Sequence, residues 1–370
     1  MGVGRRSLSE LFRLFIFLGT IGVGGPAAHV ALMHDHVVRR RGWVDDREFT
    51  TLVGATALIP GPNSTELAMA IGHRRGGVKG LLVAGTAFIA PAVLIVGALA
   101  YAYVEYGARP VVDNLRYGVF PVVAAIVVVA LVRLRTMILG SPLVAVIAAG
   151  AIGLNALGLH EVFTLLASGV AMLVARSAGS ARRTAFPALV GIVAATMVPG
   201  FWRILALFAE IGSLIFGSGY VLLAFLDSQL VQDRGWITGQ QLLDAVAVGQ
   251  VTPGPVFTTA TFVGWQIDGI GGALAATIGI FAPSFAFAFF VGSVVRVVER
   301  HEALRHVLDG VATGSIALMA VVAVRLVESS VTDFFTGAAL IGAGALLLFT
   351  RLNSAWLIGA GVLLGLILGS

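Results

Sequence analysis

Long apolar blocks separated by short polar loops set the pattern of this chain. Leu81–Val104, Gly118–Leu134, Pro142–Leu159, Gly271–Val298 and Ile341–Leu368 each run for at least 17 residues with at most one charge. Blocks of this length match the roughly 30 Å of hydrocarbon in a bilayer, and they predict an all-α polytopic membrane protein. Counting every such block gives about ten to thirteen crossings, several of them interrupted by Gly and Pro.

The pattern occurs twice. Arg41-Gly42-Trp43 recurs as Arg234-Gly235-Trp236, and Pro60-Gly61-Pro62 as Pro253-Gly254-Pro255, both at an offset of 193. Phe15, Gly19 and Val53 find Phe208, Gly212 and Val246 at the same spacing. After a one-residue deletion the offset is 192, which pairs Gly80 with Gly272, Pro91 with Pro283 and Gly118 with Gly310. A fixed period shared by so many Gly, Pro and Trp positions marks an internal duplication. The expected domains are residues 1–193 and 194–370. The stretch from Ser141 to Pro199 has its counterpart, if any, in the run after Asp333.

Composition fits a bilayer protein: 58% of residues are hydrophobic and 12% charged, too few charges for the surface of a soluble chain of 370 residues. Cysteine is absent, which excludes disulfides, thiol chemistry and cysteine-held clusters. The start of the chain carries Arg5, Arg6 and Arg13 and runs into patterned sequence with no small-residue cleavage site, so it reads as mature protein. The net charge of +5 divides unevenly. Residues 1–193 hold 17 Lys/Arg against 9 Asp/Glu, and residues 194–370 hold 7 against 10. The arginines sit in short loops, where they set orientation, rather than on the solvated face a nucleic acid would need. Equivalent loops also differ in sign: Arg74, Arg75 and Lys79 in the first half face only Asp268 in the second. Positive loops stay cytoplasmic, so this contrast predicts an inverted-topology repeat. A parallel duplication whose second half lost its arginines is the alternative, and Arg296, Arg300 and Arg305 favour it.

Each half carries two Gly/Pro clusters inside apolar sequence, where unbonded backbone is costly. The first is Gly22 to Pro26, including Gly24 and Gly25, matched by Gly217-Ser218-Gly219. The second is Pro60-Gly61-Pro62-Asn63-Ser64-Thr65-Glu66, matched by Pro253-Gly254-Pro255-Val256-Phe257-Thr258-Thr259. A helix that starts mid-membrane offers unpaired N–H groups and a positive dipole end, the features that hold anions. Hydroxyls of Ser64, Thr65, Thr258 and Thr259 add donors. Paired breaks in two halves point to a substrate site at the midplane; the plainer reading is a tight turn between short helices. Asn63 and Glu66 have the spacing of a capping box, yet a carboxyl inside a membrane is also a candidate proton carrier. His29 is a second titratable candidate, set against an ordinary interfacial loop of His29, His34 and His36 whose spacing matches no zinc signature. Trp43 and Trp236 read as interface anchors, and Arg116 and Arg325 as weaker candidates for balancing substrate charge.

Gly24-Gly25-Pro26-Ala27-Ala28-His29-Val30, Arg40-Arg41-Gly42-Trp43, Leu58 through Glu66 and Ile71-Gly72-His73-Arg74 together resemble the N-terminal domain of the chromate ion transporters. Gly217-Ser218-Gly219-Tyr220 and Val248 through Pro255 resemble their C-terminal domain. The resemblance spans about residues 8–135 and 204–325. It implies an inner-membrane, multi-pass exporter of chromate in two-domain form, without cofactor or metal. The implied partners are a tetrahedral oxyanion (chromate, with sulfate competing) and lipid; nucleic acid is not implied, and a homodimer is compatible. Export has the energetics on its side. A dianion leaving a negative interior gains about 4.6 kcal/mol per 100 mV, and proton exchange through Glu66 or His29 would add to it. The rival from another class is a membrane phosphatase acting on lipid pyrophosphates, with Ser64 in its re-entrant loop. Thr65 stands where such an enzyme wants a cation, and the second half has Phe257 in place of Ser64. An intramembrane metalloprotease is excluded because no His-Glu-x-x-His occurs. A passive channel differs from a transporter in unsaturated flux.

Overall fold

The computed structural model describes residues 5–23, 25–106, 110–159, 161–177, 200–215, 221–350, 352 and 354–368. Among them are fourteen α-helices and no strand. Seven belong to each half. In the first half they are α1 (Arg5–Ile21), α2 (Gly25–Met33), α3 (Asp46–Thr56), α4 (Asn63–Tyr106), α5 (Pro110–Leu139), α6 (Pro142–Ala156) and α7 (Glu161–Ser177). The second half repeats the order as α8 (Phe201–Leu214), α9 (Val221–Leu226), α10 (Gly239–Val251), α11 (Thr259–Arg300), α12 (Glu302–Ser330), α13 (Phe334–Phe349) and α14 (Ser354–Leu368). The run after Asp333 is thus the structural equivalent of α6 and α7.

Detail repeats as faithfully as order. Wide helical turns extend α2 over His34–Arg39 and α9 over Asp227–Gln232. Arg41 donates to the carbonyl of His36 and Arg234 to that of Gln229, while each guanidinium lies 5.8 Å from the ring of its own Trp43 or Trp236.

Both α4 and α11 are helical hairpins rather than single rods. Gly76 and Gly77 break α4, and Asp268 and Gly269 break α11. The two limbs pack so closely that a Cβ on Gly72 would strike the backbone of Gly80, and one on Gly264 that of Gly272. The first limb of α4, residues 63–75, rises about 20 Å and so reaches only part way through a membrane. The second limb, residues 78–106, rises about 43 Å and crosses fully.

Where the short helices turn back follows from their end contacts. The start of α1, the link between α2 and α3, and the α4 turn gather at one end of the bundle. Glu10 pairs with Arg75 at 2.9 Å, Arg75 lies 4.2 Å over the Trp43 ring, and Glu48 pairs with Arg74. Each helix pair therefore runs inward and returns. α1 and α2 fold back between Ile21 and Gly25, and α3 and the first limb of α4 at residues 57–62. Leu11, Leu14, Phe15 and Leu18 give α1 one buried stripe, and Phe12, Phe17 and Ile21 face outward. Four helical stretches among the described residues are long and apolar enough to span a bilayer: 63–106, 116–135, 256–291 and 302–330. The shorter apolar helices have 10–17 residues. Gly and Pro divide several of the apolar blocks into half-length helices.

Two kinds of packing join the halves. The second limbs of α4 and α11 lie side by side in opposite directions. Gly85 faces Phe285 near the middle, His73 stacks with Phe289 at one end, and Tyr101 meets Trp265 at the other. The α4 and α11 turns accordingly sit at opposite ends of the bundle. The terminal helices are exchanged as well: α14 packs on α5, and α7 on α12. Small residues permit these approaches, Gly118 against Gly361 and Gly310 against Ser168 and Gly169, as expected where no hydrophobic drive separates helix from lipid. The largest buried cluster draws on both halves, from Val96, Val123 and Phe208 to Phe262, Met319 and Leu357.

Candidate functional site

Pro60-Gly61-Pro62 cannot continue a helix, and it leaves the α3–α4 break folded against the break between α8 and α9. The Gly61 N–H donates to the carbonyl of Ile215 at 2.7 Å. At the equivalent place the Gly254 N–H donates to the carbonyl of Gly22 at 2.7 Å. By the repeat offset Ile215 corresponds to Gly22, so one bond is the image of the other. The four breaks of the two halves thus interlock at the centre. Both glycines hold positive φ, +134° and +99°, which side chains rarely adopt. A Cβ on Gly61 would overlap Glu66 and Ser284, and one on Gly254 would lie 2.7 Å from the Ala92 methyl.

Ser284 and Ala92 are themselves repeat partners, and the crossings therefore differ in polarity. On the Gly61 side Asn63 Oδ1, Thr65 Oγ1, both carboxyl oxygens of Glu66 and Ser284 Oγ are buried without a partner. Glu66 and Thr65 are wholly inaccessible. Orphaned polar atoms in such number call for a ligand or bound water, because each unmade bond at a buried group costs about 1–3 kcal/mol. Gln250 Nε2, shortly before the second Pro-Gly-Pro, is a further orphan.

His29 ties the two crossings together. Its Nε2–H donates to Gly22 O at 2.9 Å, which leaves Nδ1 of the neutral ring to accept from the Ser64 hydroxyl at 3.2 Å. The second half has Leu222 and Phe257 in these places, so the polar bridge occurs once. His29 is therefore buried at the break and not part of an interfacial loop, whereas His34 and His36 do belong to the α2–α3 link.

Several expected donors are already committed. The Gly61 and Gly254 amides serve the interlock. Thr258 and Thr259 donate to Pro255 O and Val256 O, which leaves them only acceptor capacity. Asn63 is not a cap: Pro62 supplies the first carbonyl of α4, accepting from Thr65 and Glu66. Neither Asn63 Oδ1 nor the Glu66 carboxyl makes a capping bond, so the capping-box reading fails. Gly25 opens α2 with φ of +78° and open space around it. Gly24, Gly217 and Gly219 lie outside the described residues.

A second polar feature lies at the end of the bundle that holds the α11 turn. Arg116 of α5 pairs with Asp244 of α10 at 3.0 Å, Tyr103 of α4 donates to the same carboxylate at 2.7 Å, and Arg325 pairs with Asp227 at 2.6 Å. Sequence reasoning named the two arginines but missed Asp244, Tyr103, Asp227 and Ser284. Asp244 was findable: it is a carboxylate set within the apolar run Leu242–Val248, the same signal that drew notice to Glu66. Ser284 and Tyr103 gain meaning only from their neighbours across the repeat.

An all-helical, duplicated membrane protein whose broken helices meet mid-bundle around orphaned polar atoms has the construction of a multi-pass transporter. The chain belongs to the chromate transporter family, whose sequence model matches residues 9–173 and again 202–366. It is 30% identical to a chromate transport protein of Cupriavidus metallidurans, over 98% of this chain and 93% of that one. Identity is also 30% to a probable chromate transport protein of Synechococcus elongatus (90% and 88% covered) and to a chromate transport protein of Pseudomonas aeruginosa (94% and 88%). No solved structure matches.

Proposed function

We propose that this protein exports a tetrahedral oxyanion, chromate first, across the inner membrane through the interlocked breaks, and so confers chromate resistance. The observation that carries this reading is the set of orphaned polar atoms on Asn63, Thr65, Glu66 and Ser284 at the Gly61 crossing. Thr65 and Ser284 hydroxyls are donors to oxygen beside the positive dipole end of α4. Pro60, Gly61 and Ser64 shape this pocket from one half. In this reading Gly254, Thr258 and Thr259 contribute from the other.

Charge logic then assigns a role to Glu66. An ionised carboxylate beside a dianion in a medium of low dielectric is strongly repelled, so the anion binds when Glu66 carries a proton, and the neutral acid is one more donor. His29, bonded to Ser64, is the route by which protonation is felt at the other crossing. Membrane potential supplies the drive, about 4.6 kcal/mol per 100 mV for a departing dianion. The opposed directions of α4 and α11, with the arginine-rich turn at one end and Asp268 at the other, support an inverted repeat with the α4 turn cytoplasmic.

The test is uptake of labelled chromate into everted vesicles, with sulfate, molybdate and phosphate as competitors. Saturable uptake inhibited by sulfate is expected. Failure of all four anions to accumulate or compete removes the oxyanion reading.

A further inference from the structure

Three members of the charged cluster beside the α11 turn, Arg116, Asp227 and Arg325, line a cavity of about 660 Å³ that the central site does not use. Arg116 and Arg325 both stand in its wall, with Asp227 between α9 and the α10 link. For scale, a water molecule occupies about 30 Å³ of liquid, so the space holds an oxyanion with part of its hydration shell. The cavity connects to the centre by α10. That helix begins at Gly239 in the cavity wall and ends at Val251, just before Pro253-Gly254-Pro255, about 20 Å away.

The repeat supplies an internal control on what the fold requires. Arg116, Asp244 and Asp227 correspond to Leu308, Thr51 and His34, and Arg325 corresponds to Arg133, which donates to the Leu347 carbonyl. The equivalent positions at the other end, Leu308 with Thr51 and Arg133 with His34, form neither Arg–Asp pair although the helices are the same. The pairs are therefore not needed to form the architecture, and they exist at only one end. They are also unequal in access. Both line the cavity, but the Arg325 side chain is 45% exposed while its partner Asp227 is 10% exposed, so the cation is the more open of the two. One bond to Asp227 uses one of the five N–H donors that a guanidinium carries.

We propose that this cavity is a second, outer binding site for the transported oxyanion, in which a tetrahedral dianion competes with Asp227 for Arg325 while Arg116 lies across from it. This rests on the oxyanion reading above. The carboxylates act as resident counter-ions that keep the site neutral when empty. A dianion, with twice the charge and a matching two-oxygen edge, displaces one of them on arrival. Asp244, held by both Arg116 and Tyr103, is the fixed member, and Asp227 the one that yields.

The experiment is chromate exchange in vesicles of both orientations, with Arg325→Gln and Asp227→Asn compared against wild type. For Arg325→Gln the half-saturating chromate concentration should rise about tenfold or more, the loss of one charge-assisted bond, in one vesicle orientation only. Asp227→Asn removes the competitor, so it should lower that concentration at the same face. Raising salt should weaken wild-type binding there more than at the opposite face. The opposite sign for the two variants is what a merely structural ion pair does not give, since breaking it from either side is equally harmful. Equal effects at both faces, or both variants impaired alike, overturn the proposal. So does a shift that follows the anionic-lipid content of the vesicles, which would mark the occupant as a headgroup. Wild-type vesicles that exchange none of the oxyanions refute the function itself. Normal wild-type exchange with unchanged saturation in both variants refutes the outer site alone.

Discussion

Replacing Gly254 by alanine tests whether the interlock holds the halves together. The new methyl would lie 2.7 Å from the Ala92 methyl, where carbon atoms pack best at about 3.5–4.0 Å. Overfilling of this kind costs about 1–3 kcal/mol. The φ of +99° adds about 1–3 kcal/mol for any residue with a Cβ. A loss of about 2–6 kcal/mol is therefore expected, lowering the detergent-unfolding midpoint together with transport. Gly235→Ala is the control, because φ is also positive (+59°) but nothing lies within 4 Å, so only the backbone strain of about 1–2 kcal/mol remains. Adding Ala92→Gly to Gly254→Ala should restore room and recover the packing share, less about 1 kcal/mol for glycine in a helix. The pair should thus show a coupling of about 0.5–3 kcal/mol in a double-mutant cycle. An equal loss for Gly254→Ala and Gly235→Ala, or no recovery on removing the Ala92 methyl, would refute the reasoning.

Glu66→Gln keeps the shape of the site without its proton, so transport should persist with its dependence on pH flattened, as measured by chromate flux at fixed potential; retention of the wild-type pH profile would exclude Glu66 as the carrier. The chain has no cysteine, so Arg75→Cys and Asp268→Cys each give a single thiol, and an impermeant maleimide should label them from opposite faces of the membrane. Gly118→Ala, whose Cβ would strike Gly361, should destabilise the protein in a detergent-unfolding assay far more than Gly97→Ala, where space is open. Asp333 caps α13 by accepting from the Thr336 N–H, and this bond, with help from Tyr117, holds its carboxyl below the usual 3.8. Its contribution to stability is thus fully present above pH of about 4 and is lost as pH falls through the lower folded value; Asp333→Asn should remove that acid-side loss from a denaturation curve.

Much of the fold was legible because the repeat is written in Gly, Pro and Trp, residues whose backbone demands survive divergence elsewhere. Gly61 and Gly254, and the difference in charge between the Arg75 and Asp268 loops, were readable for that reason. What the sequence did not reveal is who meets whom. Pro-Gly-Pro reads as a break, but the partner of its amide is a carbonyl about 150 or 230 residues away, a tertiary fact with no local trace. The return of α2 to the end where α1 starts was also hidden, since a half-length helix and a shortened span have the same apolar composition. The capping-box spacing of Asn63 and Glu66 misled, because Pro62 supplies the first carbonyl of the helix one residue earlier and the Glu66 carboxyl then lies at the crossing.

The exchange of terminal helices has a consequence for how such a molecule can be divided. A half on its own has α5 bare of α14, or α12 bare of α7, so it presents an uncovered, glycine-studded groove that only its complement fits. With the halves inverted as proposed, two separate polypeptides would have to insert in opposite senses and find each other in the lipid. Joining them in tandem makes that meeting intramolecular, and under the proposed inversion it frees the two sequences to acquire the unequal charges, 17 basic against 9 acidic and 7 against 10, that would let each hold its own orientation.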